Sequence, residues 1–256
     1  MKSYYLEDPG VHLSYHDLPG QEPAYVFLHG LGSASSADFP EIARQPALDR
    51  YRAVLVDLLG FGFSDRPANF SHSLADHAAV VARLLEHLHL RAVCLVGHSF
   101  GGSIAIALAH ARPDLVATLV VAEPNLAPED ATLSGMIAAQ SEERYLAQGH
   151  DALIAEAEGW ATENPAFGAY PGTLRAADPL AMHRGSVALT NAHLEEDFLG
   201  LSMPRLSVFG EQTLPHSHYQ LLQDTEVRIV VIPDAGHAMA GENPGDFAAA
   251  LAGAIA

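Results

Sequence analysis

The chain is poor in cysteine and in cationic residues. The first shortage excludes an intrachain disulfide, and the second argues against polyanionic partners. Cys94 is the only cysteine among 256 residues, so no intrachain disulfide can form, which fits a reducing compartment. Its place inside an apolar run indicates a buried, inert thiol. Lys and Arg number 13 against 31 Asp and Glu, a formal net charge of −18. Because such a surface repels nucleic-acid phosphates and anionic lipid, we expect neither as a partner.

The sequence also lacks long apolar segments. No run approaches the roughly 18 apolar residues of a membrane span, and residues 1–8 have no apolar core typical of a secretory signal. We therefore expect a cytoplasmic protein. The 256 residues, 49% of them hydrophobic, suffice for one α/β domain with an insertion. The oligomeric state, a homodimer included, stays open at this stage.

Short apolar runs alternate with helical patterns along most of the chain. The runs are rich in Val, Leu and Ile without polar alternation, which predicts strands buried on both faces of a parallel sheet. They cover residues 25–28, 53–56, 92–96, 117–122, 206–209 and 227–232. Apolar residues at helical spacing predict a helix over Ser73–His89, with Ser73 as its N-cap. Residues 4–15 predict an antiparallel hairpin at the sheet edge.

This alternation stops after Ala122. Residues 124–203 read as several short helices, and the strand pattern returns at Pro204. We therefore predict a core domain of residues 1–124 and 204–256 with an inserted helical cap of residues 125–203. The cap and the first loop are expected to supply an apolar pocket, although each candidate could equally belong to the core. The candidates are Phe39, Met136, Trp160, Phe167, Tyr170, Leu189 and Met239.

The most informative motif is Gly97-His98-Ser99-Phe100-Gly101. It reads G-x-S-x-G, follows a predicted buried strand and precedes a run of small helical residues. That context predicts a nucleophile elbow, a strained turn that projects the Ser99 hydroxyl above the sheet. The flanking glycines let the strand and helix approach without side-chain clashes. The alternative is a glycine-rich turn carrying a surface serine.

Two further loops supply the parts that an activated serine needs. His29-Gly30-Leu31-Gly32 follows the first buried strand, so we predict that the Leu31 and Phe100 amides form an oxyanion hole. His237 follows the last strand on a glycine-bearing loop. Among 15 histidines its position fits the chain order nucleophile, acid, base, so we predict His237 as the general base.

We do not expect the other histidines near these motifs to be catalytic. His98 is expected to point away from where a base must sit, and His29 to brace its loop through backbone hydrogen bonds. His216 and His218 have a spacing compatible with metal ligation, yet no carboxylate or cysteine pattern accompanies them in the sequence. A solvated helix start is therefore the favoured interpretation, and no metal site is predicted.

Together these motifs resemble the α/β-hydrolase superfamily. Residues 29–32, 57–65, 97–102 and 234–237 match it in order and spacing, and the resemblance spans roughly residues 24–256. It implies an α/β fold with a mostly parallel eight-stranded sheet flanked by helices, a cap inserted after the sixth strand, and a Ser/His/acid triad. It also implies that Asp57 and Asp65 brace the loop in which they lie.

The triad acid departs from the usual pattern. Most members carry it after the seventh strand, where this chain has Thr213, whereas Glu123 ends the sixth strand. Haloalkane dehalogenases and zearalenone-type lactonases are similar in placing a glutamate there. A glutamate at the end of an apolar strand is costly to bury without a partner. We therefore predict that Glu123 accepts the His237 Nδ1–H, with Glu211 as the alternative.

These assignments predict a serine hydrolase that cleaves small apolar carboxylic esters or lactones through an acyl-enzyme. Such chemistry needs no metal or organic cofactor. A carbon–carbon bond hydrolase and a cofactor-free perhydrolase use the same triad and remain alternatives. An alternative of another class is a non-enzymatic sensor of small ligands, which Thr213 at the usual acid position would suit.

Overall fold

The computed structural model describes residues 1–255, apart from the side chain of Ser217. Eight strands form one sheet. They are β1 (Lys2–Leu6), β2 (Val11–Leu18), β3 (Gln21–Leu28), β4 (Tyr51–Val56), β5 (Val93–His98), β6 (Val116–Ala122), β7 (Arg205–Gly210) and β8 (Arg228–Ile232). Their order across the sheet is β1-β2-β4-β3-β5-β6-β7-β8.

The sheet is antiparallel at one edge and parallel elsewhere. β1 and β2 form the predicted hairpin, and β2 pairs antiparallel with β4. All the remaining neighbours pair in parallel. Because parallel strands end at the same edge of a sheet, the loops after β3, β5, β6, β7 and β8 meet there. The predicted α/β-hydrolase sheet is therefore confirmed.

Helices flank the sheet and fill the segment between β6 and β7. They are α1 (Ser35–Asp38), α2 (Leu74–His87), α3 (Phe100–Ala111), α4 (Thr132–Ala138), α5 (Glu142–Arg144), α6 (His150–Glu163), α7 (Tyr170–Ala176), α8 (Pro179–Thr190), α9 (Glu195–Gly200), α10 (Ser217–Gln223), α11 (Met239–Glu242) and α12 (Pro244–Ala252). Short 3₁₀ turns lie at Ile42–Arg44, Pro128–Asp130, Pro165–Phe167 and Glu211–Thr213, and a π-helical turn at Tyr145–Gly149. No helix in residues 1–255 has the length and apolar character that crossing a bilayer requires.

The central strands are buried on both faces, as the continuous apolar runs predict. Along β3, Val26 and Leu28 pack into one apolar cluster, whereas Tyr25 and Phe27 pack into the other. This division follows from the two-residue period of a strand. Cys94 is fully buried among the second set, and burial raises the pKa of its thiol.

Helix α2 shows how local signals set an element's ends. The Ser73 hydroxyl accepts the Asp76 N–H at 3.1 Å, which caps the first turn as predicted. Val81, Leu84 and Leu85 are buried on one side of the helix. The helix ends before His89, whose φ of 54° is incompatible with helical continuation. The predicted helix, Ser73–His89, was too long at its end for this reason.

The segment between β6 and β7 is helical throughout its regular elements, and hydrogen bonds tie it to the core loops. The Tyr170 hydroxyl donates to the Leu31 carbonyl at 3.1 Å, and the Asp178 N–H donates to the Gly60 carbonyl at 2.8 Å. The assignment of residues 125–203 as a cap stays a prediction. Its helices do face the loops at the carboxyl edge of the sheet.

Substitution of Gly97 tests how closely the backbones of β5 and α3 pack. A Cβ there would lie 2.3 Å from the Gly101 carbonyl oxygen and 2.6 Å from Gly102 Cα, which are backbone atoms that cannot rotate away. We expect Gly97→Ala to lower the free energy of unfolding by at least about 2 kcal/mol, measured by urea denaturation. Gly135→Ala is the matched control, because that helical position in α4 has nothing within 4 Å of the added Cβ. It should gain up to about 1 kcal/mol. Equal effects of the two changes would contradict the close packing.

Candidate active site

Ser99 occupies a strained turn between β5 and α3. Its φ of 51° and ψ of −119° are unusual for a residue other than glycine and cost about 1–3 kcal/mol. The Ser99 N–H donates to the Ala122 carbonyl at 2.9 Å, which anchors the turn to β6. A Cβ on Gly101 would lie 2.3 Å from the Leu28 carbonyl oxygen. The strain and close approach are those that a nucleophile elbow requires.

The loop after β3 lies beside Ser99. A Cβ on Gly30 would lie 3.5 Å from Ser99 Cβ, and a hydrogen bond from Ser33 N–H to the Gly30 carbonyl closes a turn around Leu31. Leu31 lines the cavity described below. Phe100 is the first residue of α3, where amides have no intrahelical acceptor. The two predicted oxyanion donors therefore lie on the elbow and on the loop next to it.

His29 braces this loop, as predicted. Its Nε2 accepts the Leu58 N–H at 3.1 Å, and its Nδ1–H therefore donates to the Gly30 carbonyl at 2.8 Å. Burial lowers the pKa of His29, so the ring is neutral. The buried imidazole thus holds the loop backbone in place beside the elbow.

Asp57 and Asp65 also brace loops, as the family resemblance implies. Asp57 accepts from the Ser36 N–H at 2.9 Å, from the Ser36 hydroxyl at 2.8 Å and from the Phe63 N–H at 3.1 Å. Asp65 accepts the His12 N–H at 2.7 Å. Both carboxylates are occupied by groups of the scaffold.

Glu123 follows β6 directly and is 6% exposed. Its Oε2 accepts the His237 Nδ1–H at 2.5 Å. Its Oε1 accepts the Gly210 N–H at 2.9 Å and lies 2.5 Å from the Thr213 hydroxyl oxygen. That hydroxyl also lies 2.8 Å from the Gly210 carbonyl, but its single hydrogen favours the charged acceptor. The buried carboxylate is thus surrounded by three donors.

These donors control the charge of Glu123. Burial, the largest influence, would raise its pKa, but the hydrogen bond from His237, the charge interaction with that ring and the hydrogen bonds from Thr213 and Gly210 together lower it to about 2. The group is therefore ionised at neutral pH and places a negative charge beside the His237 ring. Glu211, the alternative acid, is exposed and accepts the Asp234 N–H at 3.1 Å. This hydrogen bond joins Glu211 to the backbone of the loop that carries His237, and not to the imidazole.

His98 has a contact that the sequence reasoning missed. Its Nε2–H donates to the His237 carbonyl at 2.8 Å, and the two ring centroids are 4.7 Å apart. Burial, with the His237 charge as a lesser cause, lowers the pKa of His98 to about 3, so its ring is neutral. His98 therefore links the elbow to the loop that carries His237. The two residues lie far apart in the chain, and no local pattern signals their contact.

A cavity of about 570 Å³ opens over these residues, a size typical of sites for small molecules. Ser99, Glu123, His237 and Leu31 line it. The predicted pocket residues that also line it are Phe39, Trp160, Phe167, Tyr170 and Leu189.

Two predicted pocket residues are wrong. Met136 is 62% exposed, because α4 buries its neighbours Ser134 and Ile137 and turns Met136 to the outside. Met239 is fully buried in the apolar cluster with Phe247 and Ile232. Neither is among the described residues that line the cavity. A helical pattern marks apolar residues but does not say whether they meet a cavity, the core or solvent.

The cavity wall is acidic, a feature that the sequence analysis missed. Asp38, Glu41 and Asp130 line it, and the described lining residues include no Lys or Arg. The Ser33 hydroxyl lies 2.7 and 2.6 Å from the two Asp38 carboxylate oxygens. Burial, reinforced by the Asp57 charge and opposed by the Ser33 hydrogen bond, raises the pKa of Asp38 to about 6.

The structure also corrects the interpretation of His216 and His218 as a solvated helix start without a carboxylate. His218 is buried and lies 3.2 Å from Asp130 Oδ2 and 3.1 Å from Glu195 Oε1. These carboxylates come from other segments of the chain, so the local sequence carries no sign of them.

Comparison with known proteins agrees with the fold. The family model described as alpha/beta hydrolase fold matches residues 23–148. The chain is 31% identical over 255 residues to the pimeloyl-[acyl-carrier protein] methyl ester esterase of Aeromonas hydrophila subsp. hydrophila, a match that covers 89% of this chain and 93% of that protein. The chain therefore belongs to the α/β-hydrolase family of enzymes.

Two other likenesses are more limited. The 2-hydroxy-6-oxo-2,4-heptadienoate hydrolase of Pseudomonas putida is 35% identical over 113 residues, which are 44% of this chain, and the chain spans only 41% of that protein's length. The enol-lactonase of Burkholderia xenovorans LB400 superposes with a TM-score of 0.78 at 19% identity, covering 96% of each chain. At that identity the likeness shows the fold alone.

The raised pKa of Asp38 predicts a stability cost at neutral pH. Its folded-state pKa of about 6 lies above the ordinary value of 3.8. Stability is therefore lost as the pH rises from about 4 to about 6, where the folded state holds the proton more tightly. We expect Asp38→Asn to raise the free energy of unfolding at pH 7.5 by about 1–2 kcal/mol, with the gain vanishing below about pH 4.

Denaturation at several pH values checks this prediction. Asp49→Asn, which changes an exposed aspartate outside the cavity, is the control and should shift stability by less than about 0.5 kcal/mol. A loss of stability in Asp38→Asn at pH 7.5 would contradict the assigned pKa direction.

Proposed function

We propose that this protein is a serine hydrolase that cleaves carboxylic ester or lactone bonds. In this proposal Ser99 is the nucleophile, His237 the general base and Glu123 the acid of the triad. The Leu31 and Phe100 amides form the oxyanion hole. The observation that carries the proposal is the 2.5 Å hydrogen bond between His237 Nδ1 and Glu123 Oε2, at a cavity that Ser99 also lines.

The Glu123–His237 hydrogen bond supports this assignment because it sets the state of the imidazole. A carboxylate can only accept, so Nδ1 carries the proton and Nε2 presents its lone pair. Glu123 is ionised, with its pKa lowered to about 2, and can stabilise the imidazolium that forms during the reaction.

The proposed reaction proceeds through an acyl-enzyme. His237 Nε2 takes the Ser99 proton as the Ser99 oxygen attacks the carbonyl carbon, and the two amides stabilise the resulting oxyanion. The oxyanion collapses, the carbon–oxygen bond to the leaving alcohol breaks, and His237 protonates that alcohol. In a lactone the alcohol stays attached to the acyl chain. His237 then activates a water that releases the acid and restores Ser99.

The cavity favours a neutral, largely apolar substrate. Phe39, Trp160 and Phe167 supply apolar wall, while Asp38 and Glu41 would repel an anionic head group. A carbon–carbon bond hydrolase of the kind considered above would carry an arginine in the pocket for a phenol or carboxylate. The described lining residues include none, so the ester or lactone assignment is the better supported of the two.

Labelling by a fluorophosphonate tests the proposed nucleophile and acid together. We expect wild-type protein to react stoichiometrically at Ser99, and Ser99→Ala to remain unlabelled while keeping its fold. Glu123→Gln removes the anion that holds the Nδ1–H tautomer, so its labelling rate and kcat on an aryl ester should fall by about 10²–10⁴-fold. Mass spectrometry and circular dichroism supply the two readouts.

Glu211→Gln is the matched control for the acid. Glu211 directly follows the neighbouring strand β7, and its carboxylate accepts a backbone N–H of the loop that carries His237, so its variant should label at the wild-type rate. If Glu211→Gln is slow and Glu123→Gln is normal, the acid assignment is wrong. If folded wild-type protein is not labelled, the chain is better explained as a sensor of small ligands.

Thr213 is expected to act as a positioning residue through Glu123. Thr213→Val keeps the side-chain shape but removes the hydrogen bond to the Glu123 carboxylate. We therefore expect kcat to fall by roughly tenfold or more. Thr213 also lines the cavity, but Val keeps the size of its side chain, so KM should change by less than about twofold. Thr213→Ser restores the hydroxyl and should recover most of kcat. A change in KM alone would contradict this role.

A further inference from the structure

Three donor-bearing side chains converge beside the cavity, outside the proposed triad. Asp130 ends the 3₁₀ turn after β6, His216 precedes α10, and His218 lies in its first turn. One ligand atom from each of the three lies within 4.8 Å of the other two. Asp130 and His216 also line the cavity. We propose that Asp130, His216 and His218 bind a divalent transition-metal ion of the Zn²⁺ type.

The state of His218 is the first argument for this site. The residue is 4% exposed, and its Nδ1 is buried without a hydrogen-bond partner among the described residues. Yet this nitrogen lies only 3.2 Å from Asp130 Oδ2. The two atoms are close but not aligned to bond with each other, as expected of two ligands directed at a common centre. A cation there would satisfy a buried nitrogen that is otherwise costly to leave unpaired.

Glu195 supplies the second argument. Its Oε1 lies 3.1 Å from His218 Nε2, so the carboxylate holds a proton on that nitrogen. Metal-ligating histidines commonly donate their other ring N–H to a carboxylate in this way. With the proton held on Nε2, Nδ1 can present its lone pair towards Asp130.

His216 and Asp130, the other two proposed ligands, are also held in place by hydrogen bonds. His216 Nδ1 accepts the His218 N–H at 3.3 Å, so this nitrogen carries a lone pair for which a cation can compete. Asp130 Oδ2 accepts the Leu126 and Ala127 N–H groups, both at 2.9 Å, which orient the carboxylate. Backbone hydrogen bonds thus restrict the positions of both side chains.

The donor set selects the class of ion. Two imidazole nitrogens and one carboxylate oxygen suit Zn²⁺ and its transition-metal neighbours, whereas Mg²⁺ and Ca²⁺ prefer oxygen ligands throughout. Ligand atoms about 2.1 Å from a tetrahedral zinc lie roughly 3.4 Å apart, so the observed spread closes with small side-chain rotations. Water would complete the coordination. The ion would join the turn after β6 to α10 and so hold one wall of the cavity.

Zinc titration of chelator-treated protein, read out by competition with a chromophoric chelator, tests the site. We expect one Zn²⁺ per wild-type chain, and a loss of affinity of at least 100-fold in both His218→Ala and Asp130→Asn. Glu195→Gln should weaken binding about 10–100-fold, as expected of an outer-shell partner. Co²⁺ in place of Zn²⁺ should give the intense visible absorption of a tetrahedral site.

Two controls separate this site from other histidines. His193→Ala removes an exposed histidine of the same region, and His237→Ala removes the proposed base. Both should bind Zn²⁺ like wild type. Loss of binding in His237→Ala alone would place the ion at the proposed triad and overturn the inference, as would wild-type protein that binds no stoichiometric zinc.

Circular dichroism without metal establishes that the ligand variants fold, and His216→Gln is a second variant should His218→Ala fail to do so. Wild-type affinity in a folded His218→Ala or His216→Gln would also overturn the proposal. These outcomes do not depend on the proposed hydrolase function, since none of them is read from activity.

Discussion

The arrangement of the site depends on one buried anion, the carboxylate of Glu123. Removing it from water is costly, and the structure offsets that cost with donors from three places: the Gly210 amide, the Thr213 hydroxyl and the His237 ring. Because two of these donors occupy Oε1, only Oε2 is left for the imidazole. The carboxylate therefore orients His237 as well as supplying charge. Any change that releases Oε1 also loosens the hydrogen bond to the ring.

The parallel sheet brings these groups together. Ser99 follows β5, Glu123 follows β6, Gly210 ends β7 and His237 follows β8, and parallel strands that end at one edge place all four there. The antiparallel hairpin lies at the far edge and takes no part. Hydrogen bonds between the loops then fix the positions of these residues, such as the one from His98 to the His237 carbonyl. The cavity forms where the helices after β6 meet this edge.

The sequence predicts two kinds of feature: short local motifs, and polar groups that are energetically costly to bury without a partner. The elbow at Ser99 is a local motif, and a partner for Glu123 is predicted because a carboxylate at the end of an apolar strand is costly to bury alone. What the sequence could not predict depends on distant segments meeting. His218 lies close to two carboxylates from separate elements, Asp130 of the 3₁₀ turn after β6 and Glu195 of α9. Met136 and Met239 match pocket residues in chemistry, but packing sends one to solvent and the other to the core. Thr213 occupies the usual acid position, and its hydroxyl hydrogen-bonds to Glu123, the proposed acid.

The proposed triad depends on Glu123 holding the Nδ1 proton of His237. Proton NMR tests it directly, because a proton in a short hydrogen bond between imidazole and carboxylate resonates far downfield of ordinary amides. We expect such a resonance in wild-type protein, its loss in His237→Ala, and its loss or large upfield shift in Glu123→Gln with the fold intact. If a downfield resonance persists unchanged in Glu123→Gln, another group holds that proton and Glu123 is not the partner of His237.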